Sequence, residues 1–194
     1  MPQLTLASTS RYRKALLEKL GLPFDCVAPE IDEDRRPGET PAALVQRLAE
    51  AKARAVAAQG RSGLIIGSDQ VAVGAGVLLG KPGSVERAIE QLRSLSGREV
   101  VFHTGLCLLN TLTDQCQVLD ETYKVRFRAL DEARIRRYVE RDRPLDCAGA
   151  FKSEGLGIVL FESLHGRDPN SLIGLPLIAL TELLEAEGIP LPPA

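Results

Sequence analysis

Short runs of hydrophobic residues alternate along the chain with segments in which apolar positions recur every three or four residues. The short runs predict strands and the longer segments predict helices, because these spacings place apolar side chains on one face of each element. Strands are predicted at 4–7, 24–28, 64–67 with a continuation at 71–73, 77–79, 100–110, 118–127 and 158–161. Helices are predicted at 11–20, 40–56, 84–95, 131–140 and 176–187. This interleaving indicates an α/β fold with a mixed sheet flanked by helices.

Residues that begin and end helices punctuate this pattern. Thr40 followed by Pro41 is a strong helix start, because threonine caps the first turn and proline suits the first helical position. Gly21 and Gly97 follow two of the predicted helices, where glycine is favoured. No internal repeat or linker is visible in the sequence. We therefore expect a single domain over 1–194, elongated, with two lobes around a central cleft.

The bulk composition is that of an ordinary folded domain. The chain has 194 residues and a formal net charge of -2, with 44% hydrophobic and 26% charged residues. So small a net charge predicts neither a nucleic-acid polymer nor a membrane surface as a partner. No apolar run approaches the ~18 residues of a membrane span, and no signal peptide precedes the first strand. We therefore expect a cytoplasmic protein.

The cysteines predict no metal or redox motif. Four occur, at positions 26, 107, 116 and 147, and none forms a CxxC pair. Neither a zinc knuckle nor a thioredoxin motif is therefore present in the sequence. Cys26, Cys107 and Cys147 have apolar neighbours and are predicted to be small core residues.

The sequence Gly67-Ser68-Asp69-Gln70, which follows an apolar run, holds the first candidate for catalysis. We predict that Asp69 lies at the carboxyl end of a strand, where α/β folds place their active sites. An aspartate there could act as a general base that activates a water. The alternative is a turn in which the side chain only caps the strand end.

The segment Ser8-Thr9-Ser10-Arg11-Tyr12-Arg13, between the first strand and the first helix, predicts an anion site. Backbone N–H groups and hydroxyls at a helix start can hold a phosphate, and Arg13 can reach the same anion with two donors. Cations at a helix N-terminus oppose the helix dipole unless an anion compensates for them. The alternative is an ordinary N-cap followed by solvated basic residues.

Three lysines and an acidic run would suit a polyphosphate with its metal ion. Lys52 lies in an alanine-rich helix, Lys81 at a strand exit, and Lys152 in a polar loop. Glu30 or Asp32 could hold Mg²⁺ or Mn²⁺ bridging phosphate oxygens, because hard oxygen ligands select such ions. Each of these charged residues could instead be a solvated surface group.

Short motifs spread from the first strand to the last helix resemble those of the Maf family. They are Leu6-Ala7-Ser8-Thr9-Ser10-x-x-Arg13, Pro29-Glu30-x-Asp32-Glu33, Ala49-x-x-Lys52-Ala53, Gly67-Ser68-Asp69, Gly80-Lys81-Pro82, Ser96-Gly97 and Gly174-Leu175-Pro176-Leu177. Each motif is weak by itself, but their occurrence together and in order is specific. The resemblance implies a Maf- and ITPase-like fold and a nucleoside triphosphate pyrophosphatase, which cleaves between the α and β phosphates with a divalent cation.

The resemblance also implies roles for individual residues. Asp69 is expected to accept a proton. The resemblance implies that phosphates bind Ser8, Arg13, Lys52 and Lys81. Lys152 is added to this set because it lies in a polar loop. Glu30 is expected to help hold the metal ion, and Asp32 and Asp69 complete the set of expected metal ligands on their residue chemistry.

The positions that distinguish branches of the family hold Tyr12, Gln70 and Glu154. This set is similar to the branch acting on 7-methyl-GTP, which usually has tryptophan where this chain has Tyr12. The tyrosine face would attract the cationic N7-methylated guanine, a contact worth roughly 0.5–2 kcal/mol. The Glu154 carboxylate could accept hydrogen bonds from the N–H groups of the base. The branch acting on dTTP and UTP has arginine, threonine and glutamine at these positions.

Two alternatives to a 7-methyl-GTP pyrophosphatase stay open. One is a pyrophosphatase of the same family acting on dTTP and UTP. The other is a nucleotide-binding regulator of cell division without turnover. The simultaneous presence of Asp69, Glu30, Lys52 and Lys81 favours an enzyme over such a regulator. The expected partner is a modified nucleotide, and the resemblance suggests a homodimer.

Overall fold

The computed structural model describes residues 2–193. Its strands are β1 Leu4–Leu6, β2 Asp25–Cys26, β3 Leu64–Gly74, β4 Val77–Leu79, β5 Glu99–Asn110, β6 Gln115–Phe127 and β7 Phe161–Gly166. Its α-helices are α1 Arg11–Glu18, α2 Pro41–Ala58, α3 Val85–Leu95, α4 Glu132–Asp142, α5 Pro169–Ile173 and α6 Leu177–Ala186. A 3₁₀ helix occupies Leu156–Leu160.

The strands form one seven-stranded sheet in the order β2-β1-β3-β5-β6-β7, with β4 paired to β3. β1 runs parallel to both β2 and β3. β4 is antiparallel to β3, and β7 is antiparallel to β6. Parallel neighbours need a crossover connection, and α1 and α2 lie in the connections between β1, β2 and β3. The predicted α/β class with a mixed sheet is confirmed.

The chain divides into two compact units. The first unit contains the chain up to Gln70, residues Thr104–Glu121, and the chain from Asp168 onward. The second unit contains Val71–His103 and Thr122–Arg167. The single domain over 1–194 with a central cleft stays a prediction.

In the first unit, the alternating side chains of β3 enter two separate hydrophobic clusters. Leu64 and Ile66 belong to a cluster that includes residues of α1 and α6. Ile65 belongs to another cluster, which it forms with Ala49 and Ala53 of α2. Successive residues of a strand face opposite sides of the sheet. Helices therefore cover both faces of β3, which explains why three consecutive residues of this strand are apolar.

Two glycines allow α2 to lie very close to the sheet. A Cβ atom on Gly67 would lie 2.0 Å from the carbonyl oxygen of Ala49, and one on Gly105 would lie 2.1 Å from that of Val45. Neither strand position therefore has room for a side chain. Glycine on the strands, together with small residues such as Ala53 on the helix, sets the distance between α2 and the sheet.

In the second unit, four phenylalanines form an edge-to-face cluster. The rings are those of Phe102, Phe127, Phe151 and Phe161. Phe151 contacts each of the other three, with ring centroids 5.4, 5.5 and 4.8 Å away. Because Phe151 directly precedes Lys152, the polar loop that carries Lys152 begins at a residue fixed in the core of this unit.

The course of β3 differs from the prediction. The predicted runs 64–67 and 71–73 form one uninterrupted strand, Leu64–Gly74, so Asp69 lies inside the strand and not at its carboxyl end. Ser68 can stay buried in the strand because its Oγ donates a hydrogen bond to the backbone carbonyl of Gly174 at 3.0 Å. A polar stretch that finds partners elsewhere in the fold need not end a strand.

The predicted strand at 158–161 is wrong. Residues Leu156–Leu160 form a 3₁₀ helix, and the strand begins at Phe161. Ile158 and Val159 are exposed, so this apolar run is not a buried strand. A tight turn precedes it, since a Cβ atom on Gly157 would lie 2.4 Å from the carbonyl oxygen of Lys152.

Burial of the cysteines also differs from the prediction. Cys107 is buried as predicted, but Cys26 is exposed and Cys147 is only partly buried. Cys26 lies in β2, the strand at one end of the sheet order, where both residues are exposed.

Among residues 2–193, every helix is too short or too polar to cross a lipid bilayer.

Candidate active site

A buried lysine between two carboxylates forms the centre of the candidate site, in the first unit. Lys52 on α2 is only 6% exposed, and its Nζ donates to Oδ1 of Asp69 on β3 at 2.6 Å. Oε1 of Glu33 lies 2.7 Å from the same Nζ. Asp69 is buried, whereas the Glu33 side chain is largely exposed. The lysine ammonium is thus bound by one carboxylate from the interior and one from the surface.

The close approach of α2 to β3 explains how Lys52 reaches Asp69. Lys52 lies on the helix between Ala49 and Ala53, the two residues that contact the strand at Gly67. Asp69 is two residues beyond Gly67, so both face the same side of the strand. An unpaired charge buried here would be costly, and the ion pair is the form in which both groups can be buried together.

Arg13, on α1, is a second cation near the same carboxylates. Its Nε donates to the backbone carbonyl of Gly174 at 2.8 Å, which fixes the orientation of the guanidinium. Burial lowers the pKa of Arg13, while the negative charges of Asp69 and Glu33 act in the opposite direction. The first unit therefore holds two cations and two carboxylates in one electrostatic cluster.

Asp168 supports the loop that supplies the Gly174 carbonyl. It is fully buried, and its Oδ1 accepts hydrogen bonds from the backbone N–H and the side-chain amide of Asn170 at 2.8 and 2.7 Å. Its Oδ2 accepts from the N–H of Ile178, in the first turn of α6, at 2.7 Å. One carboxylate therefore caps α5 and α6 together. Sequence reasoning missed this support, although Asp168 before Pro169 is a recognisable cap signal.

The segment predicted to bind phosphate forms the start of α1. Ser10 Oγ caps the helix by accepting from the N–H of Arg13, and buried Ser8 Oγ accepts from the N–H of Ser10 at 3.1 Å. The guanidinium of Arg11 lies over the Tyr12 ring, 4.8 Å from its centroid, and donates to the Tyr12 hydroxyl at 2.8 Å. The Tyr12 ring thus has a cation on its face within this chain.

Gln70, predicted to contact the base, directs its amide nitrogen toward α5. Nε2 donates to the backbone carbonyls of Ser171 and Leu172 at 2.7 and 3.2 Å, and to Oγ1 of Thr104 at 3.0 Å. The amide nitrogen therefore holds α5 in place. Base recognition by Gln70 would fall to its side-chain oxygen, and this stays a prediction.

The acidic segment after β2, which contains Glu30, Asp32, Glu33 and Asp34, contacts α2 through two ion pairs. Arg47 on α2 binds the Glu39 carboxylate through Nε at 2.6 Å and Nη2 at 2.9 Å. The hydrogen bond from Arg47 lowers the pKa of Glu39 to about 2. The second ion pair is the contact of Glu33 with Lys52. Glu33 is a site residue that sequence reasoning missed, because spacing alone could not choose among neighbouring acids.

The predicted metal ligands Glu30 and Asp32 are exposed, and Asp32 Oδ1 accepts a hydrogen bond from the N–H of Asp34 at 2.9 Å. Residues 2–193 contain no group of three or more His, Cys, Asp or Glu side chains that could hold a metal ion. Glu30, Asp32 and Asp69 are therefore not assembled as a three-ligand site. Mg²⁺ bound to a nucleotide needs only one or two protein carboxylates, with phosphate oxygens and waters as its other ligands. Metal binding by these residues stays a prediction.

The remaining predicted residues lie in the second unit. Lys152 Nζ donates to the backbone carbonyls of Asp142 and Arg143, at 2.7 and 3.4 Å, at the end of α4. This contact stabilises a helix C-terminus, where a cation is favoured. Lys81 and Glu154 are exposed. The roles of these three residues in binding phosphate or base stay predictions.

Solved structures of low sequence similarity share this fold. The Ham1 protein of Staphylococcus aureus aligns with a TM-score of 0.53 and 14% identity, over 95% of this chain and 99% of that chain. A HAM1 protein from Coxiella burnetii aligns with a TM-score of 0.51 and 16% identity, over 96% of this chain and 100% of that chain. At such identity the likeness establishes the α/β fold alone.

Sequence comparison identifies the family. Residues 3–187 match the family described as Maf-like protein. A relative from Alcanivorax borkumensis, named 7-methyl-GTP pyrophosphatase, is 58% identical over 98% of this chain and 97% of its own length. A relative of the same name from Pseudomonas aeruginosa is 55% identical over 99% of this chain and 100% of its own length. The chain belongs to the Maf family.

Proposed function

We propose that this protein is a nucleoside triphosphate pyrophosphatase that hydrolyses 7-methyl-GTP to 7-methyl-GMP and diphosphate. The observation that carries the reaction type is the buried ion pair between Lys52 and Asp69, with Arg13 and Glu33 beside it. The substrate is proposed from the relatives, which are 55–58% identical over nearly the whole chain.

The two cations would bind the phosphate chain. A triphosphate competes with Asp69 and Glu33 for Lys52 and Arg13, because its oxygens carry more negative charge than the two carboxylates. Lys52 offers a compact ammonium, while Arg13 offers a planar set of donors that Gly174 holds in one orientation. Fixed cations of this kind stabilise the charge that develops on the leaving diphosphate.

Asp69 would act as the general base. Once phosphate oxygens bind Lys52, the Asp69 carboxylate is relieved of its ion pair and can accept a proton from a water molecule. The water oxygen then bonds to the α phosphorus, and the bond between that phosphorus and the bridging oxygen breaks. The diphosphate leaves with the electron pair of that bond.

The donor chemistry of the site suits a divalent cation that arrives with the nucleotide. Asp69 and Glu33 would hold it, with Glu30 and Asp32 as further ligands expected from the sequence. Such an ion neutralises phosphate oxygens and favours attack on phosphorus. Oxygen ligands favour Mg²⁺ or Mn²⁺ over softer metals.

Base selection is proposed to depend on Tyr12 and Glu154. The contact of Arg11 with the Tyr12 ring supports the suitability of this ring for a cation, and N7-methylated guanine is cationic. Unmethylated guanine lacks that charge. Loss of an aromatic–cation contact of roughly 0.5–2 kcal/mol would make the binding of GTP about 2- to 30-fold weaker than that of 7-methyl-GTP.

A substrate panel tests the proposed substrate. Steady-state rates on 7-methyl-GTP, GTP, dTTP and UTP, with identification of both products, should show the highest kcat/KM for 7-methyl-GTP. Tyr12→Ala should reduce this preference over GTP, whereas Tyr12→Phe, which keeps the ring, should retain most of it. A preference for dTTP and UTP would reject the base assignment and support the other branch of the family.

The role of Asp69 has its own test. Asp69→Asn should lower turnover by about 10²- to 10⁴-fold while nucleotide binding persists in calorimetry. Hydrolysis in ¹⁸O-labelled water should place the label in 7-methyl-GMP. Label in the diphosphate would show attack on the β phosphorus. A wild-type protein that binds nucleotide without turnover would instead be a regulator.

A further inference from the structure

Two free cysteines that form no CxxC motif lie side by side in the first unit. Cys107 is on β5 and Cys116 is on β6, and their Sγ atoms are 3.2 Å apart. β5 and β6 are neighbours in the sheet and are joined by the short turn between Asn110 and Gln115. A disulfide bond is about 2.05 Å long, so the sulfurs would need to move only about 1 Å closer.

We propose that Cys107 and Cys116 are a reversible oxidation site, at which peroxide converts the two thiols into a disulfide that links β5 to β6. Cys116 is partly exposed and can meet the oxidant, whereas Cys107 is buried behind it. The pair is thus arranged as an accessible thiol with a second thiol in contact.

The reaction balances with peroxide as the oxidant. The Cys116 sulfur attacks one peroxide oxygen, a sulfur–oxygen bond forms, and the oxygen–oxygen bond breaks to release the other oxygen as water. The Cys107 sulfur then attacks the sulfenic sulfur of Cys116, and the oxygen on that sulfur leaves as a second water. Two thiols lose two electrons and two protons in total, and one peroxide is reduced to two waters.

Electrostatics distinguish the two sulfurs. Burial raises the pKa of Cys107 strongly, and contact with Cys116 adds to this effect. Burial also raises the pKa of Cys116, and the Glu50 carboxylate adds to this effect, whereas the contact with Cys107 and the positive charge of Arg54 oppose it. Cys116 is therefore the sulfur that reacts first, and mildly alkaline pH should speed the step because the thiolate is the nucleophile.

The position of the pair gives the disulfide a consequence for the fold. Cys107 belongs to the hydrophobic cluster that contains Ala49 and Ala53, and Cys116 packs against that cluster. These alanines flank Lys52 on α2. A covalent link between β5 and β6 would therefore stiffen the part of the sheet on which α2 rests, and the oxidised protein should unfold at a higher temperature.

The test uses the full-length double variant Cys26→Ser/Cys147→Ser, which retains only the proposed pair. The folded protein is treated with hydrogen peroxide at mildly alkaline pH, alkylated and examined by intact mass. A loss of two hydrogen atoms, a peptide joining residues 107 and 116 in a non-reducing digest, and reversal by a thiol reductant would support the proposal. Added oxygens on Cys116 without the cross-link would overturn it, as would no reaction in the folded protein.

Two controls keep the test independent of folding defects and of turnover. Adding Cys116→Ser, a change at a partly exposed position, should abolish the cross-link without unfolding the chain. In peroxide-treated wild-type protein, Cys107 and Cys116 should both resist alkylation before reduction and both be alkylated after it. Melting temperatures of the oxidised and reduced forms test the stiffening, and equal values would overturn that part. None of these readouts depends on which nucleotide is hydrolysed.

Discussion

Lys52 and Lys152 have the same side chain and the same predicted role, but the two units use them differently. In the first unit, Lys52 is buried and its ammonium binds the carboxylates of Asp69 and Glu33. In the second unit, Lys152 binds backbone carbonyls at the end of α4. A phosphate can take the place of a carboxylate on a lysine at little cost. Releasing a helix end exposes carbonyl groups that then need new partners.

The comparison leads to the hypothesis that the partners of a lysine indicate its function better than its sequence neighbours do. Paired carboxylates keep the charge of Lys52 in a buried position where water screens it little, so it can act strongly on a bound phosphate. The backbone carbonyls around Lys152 have small partial charges and a structural purpose. The predictions below test this contrast, in order of decreasing expected effect.

Replacing each lysine with methionine tests most directly whether Lys52 and Lys152 have different functions. Lys52→Met should lower kcat/KM for 7-methyl-GTP by about 10²- to 10³-fold, the usual cost of removing one fixed donor to a developing charge. Lys152→Met should change it by less than about tenfold and should instead lower the melting temperature, because α4 loses its C-terminal cap. Equal losses of turnover would show that Lys152 binds phosphate, as the sequence predicted.

Moving α2 should disturb the first unit more than any surface change. Gly67→Ala places a Cβ atom against the Ala49 carbonyl and should destabilise the protein by about 3 kcal/mol, as expected for overpacking. Gly80→Ala is the matched control, because a Cβ atom there meets nothing within 4 Å. Thermal and urea unfolding of the two variants measure the difference. Similar stabilities would mean that the close packing of α2 is unimportant.

Removing the shared cap of α5 and α6 should have an intermediate effect. Asp168→Ala leaves buried N–H donors of Asn170 and Ile178 without acceptors, which should cost about 2 kcal/mol of unfolding free energy. It should also raise KM, because the Gly174 carbonyl that orients Arg13 loses its support. Glu185→Ala, at an exposed position on α6, is the control and should change neither quantity. A stable variant with unchanged KM would contradict the positioning role.

The smallest expected effect is the pH dependence of the ion pair between Glu39 and Arg47, which holds the acidic segment against α2. The pKa of Glu39 is lowered to about 2, so its bond with Arg47 stabilises the fold above the unfolded carboxyl pKa of about 4.3 and is lost as the pH falls toward 2. The melting-temperature difference between wild type and Glu39→Gln should be constant above about pH 5 and vanish near pH 2. A melting-temperature difference that grows as the pH falls would contradict this prediction.

Much of the fold could be predicted because it depends on local patterns. The cap at Thr40, the two hydrophobic periods and the order of elements fixed the class and most element positions. The prediction failed at 158–161, where apolar residues lie exposed on a 3₁₀ helix, because an apolar run does not reveal whether the fold will cover it. It also interrupted β3 at 68–70, because the hydrogen-bond partner that lets Ser68 stay in the strand lies more than a hundred residues away.

The sequence by itself determined that Asp69, Arg13 and Lys52 were candidates, since these residue types occur in motifs typical of phosphate chemistry. Only the tertiary structure decided that Glu33 is the acid that meets Lys52, and that Cys107 and Cys116 touch. The physical reason is that a contact between distant residues depends on how closely two elements pack. At α2 and β3 that distance is set by glycine and alanine, whose lack of side-chain bulk gives no sign of the charged partners brought together beside them.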